Sequence, residues 1–301
     1  MRYLDPKNDL TFKKIFAEHP HLLISFLNSV LPLQADQKIE SIEYLPSEML
    51  PRLPLLRFTV VDVLCKDKLG RFFIVEMQML WTDSFQSRVL FNASKAYVKQ
   101  LGRGEEFQLL QPVYALSLVN QNYVLDLDRY FHHYKIVAID EPDLQMKGME
   151  FIFVELQKVK AKSLKEKALG RLWLLFLSES EQLMEQYSND LQKYPELKEA
   201  LELLKESSYT KEELETYDKY WDAVRVEKAL ISDSLRKGRE QGIVQGKAEG
   251  KVEGREEGKV QTEEKTIIQL QKNGFNTNQI SEILELELSF VESVFKKYAV
   301  N

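Results

Sequence analysis

A single cysteine, Cys65, stands among 301 residues. That rules out an intrachain disulfide and fits a reducing compartment; its place in an apolar run makes it a small core residue, not a nucleophile. Long hydrophobic runs are also missing. The longest, such as residues 172–177, fall far short of the roughly 20 apolar residues a spanning helix needs. The opening MRYLDPKNDL has no apolar leader core, so neither secretion nor membrane insertion is expected, and the reading is a soluble, cytoplasmic protein. Positive charge is in short supply: Lys and Arg total 41 against 47 Asp and Glu, a net charge of −6. A chain of that balance does not coat nucleic acid by bulk electrostatics, so any DNA contact must be local. Histidine is scarce as well. His19 and His21 flank Pro20 on an expected exposed turn, and the tandem His132 and His133 should straddle a strand, so neither pair reads as a metal site.

What is present is enough hydrophobic content, 44%, to bury a full core in one large domain or two smaller ones. The stretch FTVVDVLCKDKLGRFFIVEMQM, residues 58–79, is its centre. Two apolar, β-branched runs, 58–64 and 72–79, are joined by a polar segment with Asp67 and Gly70, the pattern of a hairpin with a short loop. Each run carries an acid. Side chains alternate along a strand, so Glu76 and Gln78 share one face and Val75, Met77 and Met79 the other, while Asp62 shares its face with Val60 and Leu64. A carboxylate inside an apolar strand is normally protonated, paired or bound to a metal. Two carboxylates and an amide on adjacent strands make the oxygen-rich cluster that a hard divalent cation prefers. The plain alternative is a pair of edge-strand acids facing water.

After the hairpin, Arg88, Asn92, Lys95, Lys99 and Arg103 recur at helical spacing as one stripe, with Phe85, Val89, Ala93 and Ala96 on the apolar side. The stripe is a candidate DNA surface; the alternative is an ordinary solvated face. Upstream, Asn8 and Asp9 offer N-caps for a helix over 10–18, and Pro20 opens a second over 22–31. Residues 39–45 read as a first strand, 112–119 as a strand buried on both faces, and 134–139 and 151–156 as two more. The last ends in VELQ, an echo of VEMQ at 75–78, with Asp140 upstream of Glu155. This rival acid pair ranks second because Asp140 is followed by EPD and lies in a turn.

Four segments in this order, DPKNDLTFKKIF at 5–16, VDVLCKD at 61–67, FIVEMQM at 73–79 and SRVLFNASKAYVKQL at 87–101, make the chain resemble the Rpn family of recombination-promoting nucleases. That family lies within the PD-(D/E)xK nuclease superfamily and is also described as transposases. The hairpin looks like the superfamily's metal-binding hairpin, with Gln78 where most members carry Lys. The resemblance implies an αβββαβ core with a mixed sheet, a metal-dependent DNA endonuclease promoting recombination, and a C-terminal oligomerising tail. It implies that Asp62 and Glu76 hold Mg²⁺ or Mn²⁺ with the Met77 carbonyl as a further ligand, and it nominates Asp9 and Lys13 through the Asp-x-x-Phe-Lys signature. Gln78 would orient the attacking water but cannot replace a lysine's charge, so either rates are modest or Lys13 or Lys95 supplies the charge from a helix. A catalytically weak nuclease fold kept as a DNA-binding or assembly module is the alternative.

From residue 164 onward the chain reads as helical, with one helix over 164–181 and another over 185–206 broken at Pro195. TKEE at 210–213 is a capping box, and a single long helix is expected to run from there to about Glu264. It holds Gly238, Gly242, Gly246, Gly250, Gly254 and Gly258, spaced by four. Each interior glycine costs about 1 kcal/mol against alanine, so a compensating close approach of another helix is expected, which makes this a candidate homo-oligomerisation ridge; a mixed-charge linker is the alternative. Three short helices are expected over 262–301. The domains expected are a nuclease domain at 1–208, the glycine-repeat helix at 209–261 and a small helical tail at 262–301.

Overall fold

The computed structural model describes residues 2–49, 59–159, 169–178 and 191–298. Contacts divide the chain into two compact units, Met1–Lys228 and Ala229–Asn301.

The first unit opens with α1 (Asp9–Phe16) and α2 (Pro20–Val30). The Asn8 side chain, not Asp9, caps α1 by accepting from the Leu10 amide, which leaves the Asp9 carboxylate available elsewhere. The strands that follow are β1 (Ile42–Tyr44), β2 (Glu48–Met49), β3 (Thr59–Val60), β4 (Val63–Asp67), β5 (Phe72–Gln78), β6 (Val113–Val119), β7 (Phe131–Val137) and β8 (Gln145–Glu155). Six of them form one mixed sheet in the order β1-β4-β5-β6-β8-β7, and β2 pairs separately with β3. Strands β5 and β6 are parallel, so the chain must cross over between them, and α3 (Asp83–Lys99) does so. Counting α1 and only the strands of the main sheet, α1, then β1, β4 and β5, then α3 and β6 follow the expected αβββαβ order, with α2 and the β2–β3 pair inserted and β7 and β8 extending the sheet beyond it.

Both sheet faces are covered. Phe12, Ile15 and Phe16 of α1, Phe26 of α2 and Trp173 of α4 (Leu169–Ser178) pack with Val63, Cys65, Phe73 and Val75 on one side. Phe85, Val89, Ala93 and Ala96 of α3 cover Leu64, Ile74 and Ala115 on the other. Every residue of β6 is buried, as a central parallel strand requires. Cys65 is fully buried.

Several boundaries depart from expectation. The run over 58–64 is not one strand: β3 ends at Val60 and β4 begins at Val63, with a bend at Asp62. The helix expected over 164–181 is seen as α4, and that over 185–206 as α5 (Pro195–Leu203); residues 164–168, 179–181 and 185–190 lie outside the described residues. The capping box at 210–213 forms, with Thr210 and Glu213 bonding each other's amides. It opens α6, which runs Lys211–Lys272 and so absorbs the first of the three expected tail helices. Gly274, at φ 90°, ends that run, as a left-handed C-terminal glycine does. The tail continues as α7 (Thr277–Leu284) and α8 (Leu288–Tyr298), whose Ile280, Val291 and Val294 bury with Ile267. Among the described residues no helix is long and apolar enough to cross a membrane.

Candidate active site

The β4–β5 hairpin is pinned at its turn. Gly70 adopts φ 78°, and Asp67 accepts from the Leu69 and Arg71 amides and from the Arg71 guanidinium at 2.6 Å, a buried pair. With that end held, Val63 pairs with Val75, and continuing the register sets Asp62 opposite Glu76 on the same sheet face. The bend at Asp62 turns its carboxylate onto the end of β5, where Oδ2 accepts from the Met77 amide at 2.6 Å. A strand residue's N–H and C=O face the same neighbour, so the Met77 carbonyl shares that edge. Glu76 is buried, and its Oε1 accepts from Asn92 Nδ2 at 2.9 Å. Glu76 Oε2 and Asn92 Oδ1 are buried with no hydrogen-bond partner among the described residues.

Charge here is expensive. Burial first, then the neighbouring Asp62, pushes the Glu76 carboxyl up to about 7 against the pull of Asn92 and Arg88. Burial likewise raises Asp62 to about 6; the Met77 amide, Lys13 and Arg88 work against it and Asp9 with it. Asp9 and Lys13, 2.8 Å apart one helical turn from each other, therefore lie within electrostatic reach of Asp62. The structure thus brings together Asp9, Lys13, Asp62, Glu76, Gln78 and Arg88. No group of three or more His, Cys, Asp or Glu able to hold a metal occurs among the described residues. A site of two carboxylates still suits magnesium, which keeps several waters and uses substrate phosphate oxygens. An orphaned, buried carboxylate oxygen beside a second raised carboxyl offers the lone pairs that a hard cation takes.

The basic stripe divides. Arg88 is exposed and its Nη2 donates to Gln78 Oε1 at 2.6 Å, while Gln78 Nε2 donates to the Leu80 carbonyl at 2.6 Å. Asn92 does not belong to an exposed face: it is 1% exposed and turned onto Glu76. A signal for this was present, since Asn92 follows Val89 by three and precedes Ala96 by four, placing it on the apolar side. Arg103 lies past the end of α3 in an exposed turn, so it does not continue the helical row, and Lys99 closes the helix. Lys95 packs its Nζ 5.2 Å from the Phe91 ring centroid. The charge near Gln78 comes from Arg88, a residue read from sequence only as part of the stripe.

The rival acid pair does not assemble. Asp140 is exposed in the turn after β7, whereas Glu155 is fully buried. Burial works to raise Glu155, but Lys158, His132 and the Tyr123 and Val124 amides hold it below the usual carboxylate value. Both its oxygens are engaged, so it is a structural anchor for β8. His132 and His133 straddle β7 as expected, one on Glu155 and the other on Glu150. His132→Ala should lower urea-unfolding stability by about 3–5 kcal/mol, the cost of stripping a partner from a buried ion. An unchanged urea midpoint would mean that Glu155 does not depend on His132 and would reopen it as a site residue.

A family model described as PD-(D/E)XK nuclease family transposase matches residues 6–234. No curated protein and no solved structure matches the chain.

Proposed function

The chain belongs to the PD-(D/E)XK nuclease family transposases, and from that premise we propose that it is a divalent-metal-dependent DNA endonuclease whose breaks promote recombination. The observation that supports this reading is Asp62 bonded to the Met77 amide, one residue past Glu76, whose own Oε2 is buried with no hydrogen-bond partner among the described residues. Asp62, Glu76 and the Met77 carbonyl would hold Mg²⁺ or Mn²⁺. When bound, the cation supplies Lewis-acid activation of water and neutralises charge at the scissile phosphate. The chain's own residues do the rest. Asn92 holds Glu76 in its rotamer. Gln78, clamped between Arg88 and the Leu80 carbonyl, keeps one further lone pair and one further N–H with which to orient water. As a neutral amide it takes no proton. Arg88 and Lys13 provide the positive charge that stabilises the developing phosphorane, while Lys95, Lys99 and Arg103 contact the backbone of DNA.

The test is nicking of supercoiled plasmid by the purified protein across Mg²⁺ and Mn²⁺ titrations, with EDTA as control. Metal-dependent nicking is expected; its absence at every concentration leaves the DNA-binding or assembly reading. In the same assay Arg88→Gln should reduce the rate about tenfold or more, consistent with losing one preorganised electrostatic contact, and retain the fold. An unchanged rate would return the charge-supplying role to Lys13 or Lys95.

Self-association belongs to the same proposal. Among the described residues, and apart from the helix's own backbone, nothing lies within 4 Å of a Cβ built on any of the six spaced glycines of α6, so the ridge is open to a neighbour. Gly246→Leu with Gly250→Leu raises helix propensity by close to 1 kcal/mol per site but blocks close approach. Light scattering should therefore show a smaller particle; an unchanged mass would make the stretch a linker.

A further inference from the structure

The opening turns of α6 are strapped to the segment that leads into the site. Tyr217 Oη accepts from the Asp5 amide at 2.9 Å, and the Tyr217 carbonyl accepts from Asn8 Nδ2 at 3.1 Å. Tyr217 and Trp221 pack with Leu4 and Leu10 around this clamp. Two anchors on residues 5–8 fix the helix rotation immediately before Asp9, the first residue of α1. One turn of helix separates Tyr217 from Tyr220, which that rotation carries to the Lys7 carbonyl, its hydroxyl 3.5 Å away. That is too long for a committed O–H···O bond, whose usual length is about 2.7–2.8 Å. The hydroxyl of a half-buried tyrosine is thus held on the segment that leads into Asp9, with only a long, weak bond to the Lys7 carbonyl to give up.

The surroundings say what it can serve. Burial, and then the charges of Asp62, Asp9 and Asp5, push the Tyr220 phenol above its ordinary range, so it remains an O–H donor. A lysine at this position would compete with a cation for the carboxylates; a neutral phenol donates without doing so. The acceptor that a carboxylate-lined, cation-binding site brings to such a donor is a phosphate oxygen. We propose that Tyr220 donates a hydrogen bond to the phosphate of the bound DNA strand and is a catalytic residue supplied by α6. This rests on the endonuclease reading. It also means that the site draws on a residue beyond the sheet and its covering helices.

Tyr220→Phe keeps the ring and removes the hydroxyl, so it is the variant to measure. Three readouts are taken on the full chain: nicking at saturating metal, affinity for a fluorescent duplex in Ca²⁺, and Mn²⁺ affinity from thermal shift. The expected result is a nicking rate lower by about tenfold and weaker duplex binding by several-fold, on the scale of one hydrogen bond, with melting temperature and Mn²⁺ affinity unchanged. Cleavage and duplex binding within twofold of wild type would overturn the proposal, as would a rate loss matched by lost Mn²⁺ affinity. If the wild type does not cleave but Tyr220→Phe still binds duplex more weakly, the hydrolase reading falls and the phosphate contact stands. If neither cleavage nor a binding difference is seen, both fall.

Discussion

Asp62→Asn and Glu76→Gln should each abolish metal-dependent nicking, by roughly a thousandfold or more as expected when a cation's charge stabilisation is lost, while making the metal-free protein more heat-stable. The two effects share one cause. In the metal-free fold both carboxyls are raised, Glu76 from 4.5 to about 7 and Asp62 from 3.8 to about 6, chiefly because burial penalises their ions. A folded-state value above the unfolded one means that the acid form is favoured by folding. That contribution is complete below about pH 4 and is lost as pH rises through 6 to 7. Every tenfold change in a group's proton affinity is worth about 1.4 kcal/mol, so the charged pair strains the metal-free protein by a few kcal/mol at pH 8. Its melting temperature should fall between pH 5 and pH 8 and Mn²⁺ should reverse the fall, whereas each single variant should show only the smaller pH response of the carboxyl it retains and no recovery with Mn²⁺. Two outcomes would sink the assignment: cleavage surviving in Asp62→Asn, or a wild-type melting temperature indifferent to both pH and Mn²⁺.

Gly170→Val is expected to be the most damaging single change to the fold. A Cβ at Gly170, in the first turn of α4, would lie 2.1 Å from the Ser29 carbonyl oxygen and 2.8 Å from its carbon. Both atoms are backbone of α2, so no rotamer change relieves the clash; the helices must separate, opening the core around Phe26 and Trp173. The loss should exceed about 3 kcal/mol, the upper end of ordinary overpacking, read from the urea midpoint. Gly104→Ala makes the comparison. Its Cβ meets nothing within 4 Å, and only its φ of 86° argues against a side chain, so a cost of about 1 kcal/mol is expected. Equal stability for the two variants would mean that α2 and α4 can part freely.

Much of the architecture is legible in local pattern. The β4–β5 hairpin and the capping box at 210–213 rest on contacts close in sequence, and the apolar side of α3 and the doubly buried β6 announce themselves in period and composition, even though what buries them lies far along the chain. Pattern misleads where that locality fails. A strand over 58–64 is a fair reading of its β-branched residues, but β3 pairs with β2 and β4 with β1 and β5, and the chain bends at Asp62 to serve both. An end near Glu264 falls short of the long helix because the tail segment carries its own amphipathic pattern, yet nothing between Glu264 and Lys272 breaks the turn.

By itself the sequence set Asp62 and Glu76 near the same end of one hairpin, since strand alternation and a short turn leave little freedom in which face each acid takes. It also determined that six glycines would line one drifting ridge of a helix. Tertiary structure alone decided the partners of the polar residues: Asn92 pressed onto Glu76, Arg88 turned from the basic stripe to hold Gln78, Tyr220 carried to the Lys7 carbonyl by a helix that begins at Lys211, and Glu155 silenced by His132 and Lys158. Periodicity tells which way a side chain points, whereas burial and pairing depend on what the rest of the chain packs against it, and that information is not contained in any one segment.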